Sequence, residues 1–245
     1  MPIELPLELN ALESSRFGIV AARITDPAAS LAAIDEAARA VGVQMAMVRL
    51  PADDLARVHA FEAAGYRLMD TLVYYGRTLG VELPAPVPVP GVTCRPATVA
   101  DAPAVAAVAR AGFGDYLGHY HADPRLDPAA ADEAYVDWAQ TSTQRASPAA
   151  PVLVAETADG IGGFLTLREI DPTAMEIVLN AVRPELGGQG IYGLLVSEAL
   201  ALAAGRCAAR MITSTQLNNY APQKVWTRLG FRHERSFYTF HKWWD

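Results

Sequence analysis

The sequence predicts an α/β fold: a central mixed sheet with helices on both faces, preceded by a smaller unit carrying half of that pattern. Three observations carry this expectation. Residues 92–245 alternate short apolar strand-like runs with helix-like ones. The end of that alternation is also written once near the N-terminus. Between the two stretches lies VELPAPVPVPGV, with prolines at 84, 86, 88 and 90. Alternating prolines favour extended polyproline II rising ~3.1 Å per residue, so this piece can span roughly 30 Å of surface. The expected division is a unit at 1–80, a linker at 81–91 and a domain at 92–245.

Within the larger domain, residues 92–95 form a first strand, and Asp101-Ala-Pro opens a helix running to Ala111. Runs at 152–155 and 163–168 flank a Thr-Ala-Asp-Gly-Ile-Gly turn, which marks a hairpin. A strand at 176–182 leads to a helix at 188–204, with Ile191, Leu194, Leu195 and Leu202 on one face and Gly205 at its end. A strand at 210–215, a helix at 219–229 stopped by Gly230, and a strand at 232–241 complete the domain. The small unit repeats this ending. Ala46-Met-Val-Arg, Phe61-Glu-Ala-Ala-Gly65-Tyr66-Arg67 and Leu72-Val-Tyr-Tyr stand 165 residues before Met211-Ile-Thr-Ser, Trp226-Thr-Arg-Leu-Gly230-Phe231-Arg232 and Phe237-Tyr-Thr-Phe. A glycine and an aromatic residue after a helix also make a common C-cap. The constant spacing reads instead as a degenerate duplication, so the small unit is half a fold that must complete its sheet with the larger one.

Half of the residues (51%) are hydrophobic and the net charge is −7, which fits a soluble protein with a substantial core. No run of four basic residues occurs, so general nucleic-acid and anionic-membrane binding are excluded as expectations. Any anion must be held locally. The two cysteines, Cys94 and Cys207, have no metal-like spacing. The first residues lack a signal-peptide pattern, and no apolar stretch approaches the ~20 residues of a membrane helix. The expected location is the cytoplasm.

The strongest chemical signal is Val182-Arg-Pro-Glu-Leu-Gly187-Gly188-Gln-Gly190-Ile-Tyr192-Gly193, between a strand and a helix. Glycines at a helix N-terminus let backbone N–H groups approach a phosphate, which the helix dipole also favours. A flexible connecting loop is the plainer reading of the same glycines. The spacing Gly188-x-Gly190-x-x-Gly193 formally matches a dinucleotide fingerprint. That motif needs a tight turn directly after the strand and an acidic residue about 20 positions on. Residues 183–186 intervene here, and 208–219 contain no Asp or Glu, so the dinucleotide reading fails.

The segment resembles the pyrophosphate loop of the GNAT superfamily, with Val182, Pro184, Gly188, Gly190 and Ile191 in place. Gly187 stands where Gln or Arg is usual, and Tyr192 where a small residue is usual. The resemblance continues through Asn219-Tyr-Ala-Pro-Gln-Lys-Val-Trp226-Thr-Arg-Leu-Gly230-Phe231 and Cys94-Arg-Pro-Ala-Thr-Val-Ala-Asp101, covering nearly all of 92–245. It implies the GNAT acyl-CoA N-acyltransferase fold, with acetyl-CoA as co-substrate, no metal, and a small-molecule amine that attacks the thioester directly. It implies donor contacts from the backbone of Asn180, Ala181 and Val182, from Gly187, Gly188, Gln189, Gly190, Ile191 and Tyr192, and from Asn219 and Trp226. Asn219 also reads as the cap of its helix. Trp226 stands where many family members carry a tyrosine that protonates the departing thiolate. An indole N–H is too weak an acid for that, so Trp226 reads as a wall along the pantetheine arm.

A closer resemblance is to sugar-nucleotide N-acetyltransferases of the TDP-fucosamine type, which share the half-plus-whole layout. It rests on Glu13-Ser-Ser-Arg-Phe17-Gly18-Ile-Val, Leu167-Arg168-Glu169 and Thr215-Gln216-Leu-Asn-Asn219. It implies acceptor contacts from Phe17, Asp70, His119, Arg168 and Glu169, with Asp70 helping to receive the amine. His119, His121 and Asp123 are too sparse a set for a metal and read as a loop over the acceptor cleft. Trp243-Trp244 reads as packing or a self-association surface, so a homodimer is the only protein partner in view. Two rival readings are an acetyltransferase for another amine and a non-catalytic acyl-CoA-binding module.

Overall fold

A computed structural model describes residues 5–80, 83, 85–114 and 116–244. In chain order the elements are β1 (Leu7–Leu9), α1 (Ala11–Phe17), β2 (Ala21–Ile24), α2 (Leu31–Ala40), β3 (Met45–Pro51), α3 (Leu55–Ala63) and β4 (Arg67–Thr78). There follow β5 (Thr93–Pro96), α4 (Ala102–Phe113), α5 (His119–Ala122), α6 (Pro128–Gln144), β6 (Val152–Thr157), β7 (Gly160–Asp171) and β8 (Ala174–Val182). The chain closes with α7 (Ile191–Gly205), β9 (Arg210–Gln216), α8 (Tyr220–Arg228) and β10 (Arg232–Trp243). These elements gather into two compact units. One comprises residues up to 73, 117–131 and from 235 on; the other comprises 74–116 and 132–234.

In the second unit the strands run β9-β8-β7-β6-β5, parallel between β8 and β9 and antiparallel elsewhere. Period-two alternation sends Leu153, Ala155, Leu165, Leu167 and Ile177 to one face, where Ile191, Leu195, Ala199 and Trp226 of α7 and α8 cover them. Val154 and Phe164 face the other way, onto Val105, Val108, Ala109 and Tyr135 of α4 and α6, and Leu179 joins them because a register shift separates it from Ile177. The expected mixed sheet with helices on both faces is therefore present. α4 comes close to β8 through Gly112, where a Cβ atom would sit 2.8 Å from that of Ala181. Of the expected linker, residues 81, 82 and 84 lie outside the described residues. Leu83 and Val89 pack against the α7 side of this core.

In the first unit β2 and β3 run parallel, β1 pairs antiparallel to β2, and β10 pairs antiparallel to β3. Ala22, Ile24, Ala46, Val48 and Leu50 face Ile34, Val58 and Phe61 of α2 and α3. Ala21 and Met45 face Leu126, Phe17, Tyr120 and Trp243.

The repeat is held element by element. The bounds of β3, α3 and β4 fall 165 residues before those of β9, α8 and β10. The cap residues Asp54 (φ −88°, ψ 67°) and Asn219 (φ −86°, ψ 79°) share one backbone conformation. Gly65 and Gly230 both take positive φ, and the buried pairs Phe61/Trp226 and Tyr66/Phe231 occupy matching places. The units do not follow the expected sequence division, because both β4 and β10 are shared out. The end of β4 (74–78) belongs to the second unit, and most of β10 (from 235) belongs to the first.

Candidate functional site

The chemistry expected of the second unit gathers where β8 and β9 part. Their ladder runs only from Ala174↔Arg210 to Ile177↔Thr213, while β8 stays paired to β7 as far as Val182. A register shift at Leu165/Leu167 accompanies the divergence, and Thr166 Oγ1 takes the Leu179 N–H at 2.9 Å. Asn180, Ala181 and Val182 therefore lie beyond the β9 ladder, on a strand edge that β9 leaves open. The strand continues into a 3-10 turn (Pro184–Leu186) and then the exposed residues Gly187, Gly188, Gln189 and Gly190. Gly188 (φ +76°) and Gly190 (φ +88°) adopt the left-handed backbone that side-chained residues rarely take. Gly190 is the N-cap of α7, and no side chain caps it. The first-turn amides from Ile191 to Gly193 have no acceptor within the helix, and they sit at the positive end of its dipole. The expected helix start at Gly188 thus moves to Ile191, because the two positive φ angles hold the glycines outside the helix. This cradle fits the pyrophosphate of acyl-CoA: open amides, no cap, and no side chain at 187, 188 or 190.

Across the opening, Asn219 holds the N-cap position of α8 without capping it. Its Nδ2 donates instead to Thr215 Oγ1 at 2.9 Å. Gln223 Nε2 ties the same turn by donating to the carbonyls of Asn219 (2.9 Å) and Leu217 (3.0 Å). Trp226 is only 1% exposed and its Nε1 donates to the Tyr192 hydroxyl at 2.8 Å. Burial raises the Tyr192 pKa, and the bond from Trp226 offsets part of that rise. The two residues that depart from the family pattern on α7 and α8 touch each other. Tyr75 packs beside Trp226, ring centroids 5.5 Å apart, and its hydroxyl donates to Gln223 Oε1. Arg168 pairs with the buried Glu176, while Glu169 is exposed on β7.

The remaining expected residues lie in the first unit. Phe17 packs against Tyr120, and Asp70 is half-buried on β4. The segment read as a loop at 118–125 contains a helical turn, α5, with His119 buried rather than displayed. His241 Nδ1 donates to Asp123 Oδ2 at 2.8 Å, and the Trp243 indole donates to the same oxygen at 2.9 Å. His119 Nδ1 and His241 Nε2 share a hydrogen bond across 3.0 Å, its direction set by the tautomers of the two rings. Burial, then the neighbouring His241 and Arg49, hold His119 well below the usual imidazole range. Burial alone would raise Asp123, but the donors His241, Trp243 and the Arg125 N–H keep it below the usual carboxylate range. Sequence reading did not single out His241. It lies 118 residues from Asp123, and no local pattern reports such a meeting.

The acetyltransferase (GNAT) family model matches residues 116–231. That match covers a little under half of the chain. The spore coat polysaccharide biosynthesis protein SpsD of Bacillus subtilis (strain 168) is 24% identical to it over 199 residues. That alignment covers 80% of this chain and 65% of SpsD, so the chain spans a little under two thirds of that relative's length. A GCN5-related N-acetyltransferase from Sphaerobacter thermophilus superimposes with TM-score 0.69 and 17% identity, over 97% of this chain and 76% of that one. A second from Kribbella flavida gives 0.67 and 15%, over 98% and 88%. These likenesses establish the GNAT fold. Among the described residues no helix is long and apolar enough to cross a membrane, and no group of three or more His, Cys, Asp and Glu is arranged to hold a metal.

Proposed function

We propose that this protein is an acetyl-CoA-dependent N-acetyltransferase that moves the acetyl group by direct attack to a primary amine of a small molecule, an amino-sugar nucleotide being the favoured acceptor. The observation that carries the reading is the uncapped, glycine-lined start of α7 at the mouth of the parted β8 and β9. In this reading the amides from 188 to 192 hold the donor's pyrophosphate, while that of Gly187 is taken by the Pro184 carbonyl at 3.0 Å. The open edge of β8 at Asn180, Ala181 and Val182 binds the pantetheine arm and polarises the thioester carbonyl. Asn219 stiffens the far side of the opening through Thr215. The amine arrives neutral, its nitrogen bonds to the acetyl carbon, the C–S bond breaks, and the nitrogen loses a proton as the thiolate gains one. A thiol with pKa ~8.5 leaves readily near neutral pH, so the reaction tolerates a tryptophan at 226. Phe17, Asp70, Arg168 and Glu169 are the proposed acceptor contacts, with Asp70 helping to receive the amine. Polysaccharide biosynthesis in the name of SpsD supports a sugar acceptor. A homodimer in solution remains part of the proposal.

Thiol release from acetyl-CoA, followed with a panel of amines, tests the reading. Turnover with an amino sugar or its nucleotide above that with amino acids, antibiotics and peptide N-termini is expected. Donor binding without thiol release from any amine would make the chain an acyl-CoA-binding module, a reading favoured by the locking of Trp226 onto Tyr192.

A further inference from the structure

The glycine that precedes α7 has a neighbour from outside the donor loop. A Cβ atom built on Gly190 would lie 3.5 Å from Cγ2 of Val89, so the Pro-rich segment touches the loop at the N-cap of the helix. Val89 packs against the α7 side of the core together with Leu186 and Tyr192, which flank the loop's glycines in the chain. Local chemistry fixes its place. Pro88 and Pro90 stand on either side, and a residue before proline is confined to extended backbone. The Val92 N–H donates to the Val89 carbonyl at 3.1 Å, across Pro90 and Gly91 (φ +73°). A proline followed by a positive φ makes this a type II turn. β5 begins directly after it, so Val89 is held from the β5 side and does not need an unbroken chain before Pro88. Val87 also precedes a proline, yet it is 77% exposed. The strap therefore turns one valine to the loop and the other to solvent.

We propose that Val89 forms a wall of the donor's pyrophosphate site, which makes the Pro-rich segment part of the acyl-CoA site as well as a connector. The inference rests on the reading of the α7 start as the pyrophosphate cradle. The strap offers a phosphate neither charge nor donor: Pro88 and Pro90 have no N–H, and the Val89 carbonyl is taken by the turn. What it supplies is the exclusion of water beside the amides at the helix start, and a drier setting strengthens charge-assisted hydrogen bonds. Calorimetric titration of the full chain with acetyl-CoA tests this in Val89→Asn, Val89→Asp and Val89→Lys, and in the same three changes at Val87. The Asn variants set a neutral, polar baseline. Against it Val89→Asp should weaken acetyl-CoA binding roughly 5-fold or more, and Val89→Lys should tighten it by a similar factor. Both effects should shrink as salt rises, and the Val87 series should stay within about 2-fold. Lost packing alone does not reverse sign with charge. Acetyl-dephospho-CoA keeps the pyrophosphate and lacks the 3′-phosphate, and it should show the same reversal at position 89. Urea midpoints establish which variants fold; if Val89→Asp does not, the comparison of Lys with Asn carries the test. Equal affinities across the Val89 series would overturn the proposal, as would an equal response at Val87 or a reversal lost with the dephospho donor. Gly190→Glu separates this failure from that of the cradle itself. A weakened donor there with a flat Val89 series removes the wall alone, whereas a donor indifferent to Gly190→Glu removes both.

Discussion

At Trp226 two departures from the family pattern become one interaction. The indole sits where a tyrosine is usual, and its N–H is satisfied by a hydroxyl from Tyr192, where a small residue is usual. Removing that acceptor strands a buried donor. Tyr192→Phe is therefore expected to lower stability by about 1–3 kcal/mol in urea unfolding, at little cost to donor affinity. Trp226→Phe should keep kcat within ~10-fold, against the 10²–10⁴ that a general acid contributes. A thousandfold loss with intact donor binding would put the indole in the chemistry. The buried histidine makes a second prediction at this scale. His119 has a folded pKa below its unfolded value near 6.5, so the unfolded chain binds a proton that the native chain refuses. Stability should be full above about pH 6.5 and fall as pH drops below it, by up to about 1.4 kcal/mol per pH unit. Urea midpoints at pH 7.5 and 5.5 should separate more for the parent than for His119→Gln; equal separations would show that His119 does not carry the loss. Neither pair was legible beforehand. Trp226 and Tyr192 each read as an isolated oddity, and His119 read as displayed, because the partner of each is supplied by a distant strand or helix.

The two helix starts that follow the parallel strands differ, and only one of them suits the proposed donor site. α7 begins on bare glycines, whereas α2 begins with Ser30, whose Oγ accepts from the Ala33 N–H at 3.2 Å. Asp26 takes the Ala28 N–H at 3.0 Å, and the Arg57 guanidinium donates to the Ala29 carbonyl. Those amides and carbonyls are used, and residues 25–30 contain no glycine. Calorimetry is expected to find one acetyl-CoA per chain despite the duplication. Ser30→Ala should cost about 1 kcal/mol of stability with the donor KM unchanged. Gly190→Glu should raise the donor KM at least ~10-fold, about 1.4 kcal/mol. Because Gly190 has φ +88°, Gly190→Ala must be measured beside it, and the carboxylate should add to whatever the backbone strain alone costs. Elements with a punctuated start or end were readable in the sequence: the hairpin of β6 and β7, α7, α8, and the repeated β3-α3-β4. α6 was not. Small or polar residues (Ala131, Ala134, Ala139 and Thr143) fill four of its buried positions beside Tyr135 and Val136, and Trp138 is exposed, which leaves little contrast between inner and outer faces.

Neither compact unit is a continuous stretch of chain. The strand after α3 ends in the second unit, where Tyr75 packs on Trp226 and the Leu79 N–H donates to the Ala209 carbonyl. The strand after α8 pairs in the first unit with the whole of β3, from Phe237↔Pro51 to Trp243↔Met45. Fragments 1–80 and 92–245 made separately should each lack a strand segment and aggregate or stay unfolded, while a chain cut within 85–90 should keep its secondary structure and its donor affinity. Independent folding of either fragment, seen by circular dichroism and sharp NMR dispersion, would contradict this. The duplication was visible in the sequence as a repeat of residue types; the sharing of strands was not, since pairing partners leave no mark on local pattern. That sharing also sets a timetable for biosynthesis. A ribosome releases β3 early, and the strand that covers its edge follows about 190 residues later. Throughout that interval the nascent chain presents an unzipped β-edge flanked by Val48 and Leu50, a template for pairing with other chains. Protection from chaperones should therefore matter most for chains stalled between α4 and α8, and little once β10 has emerged.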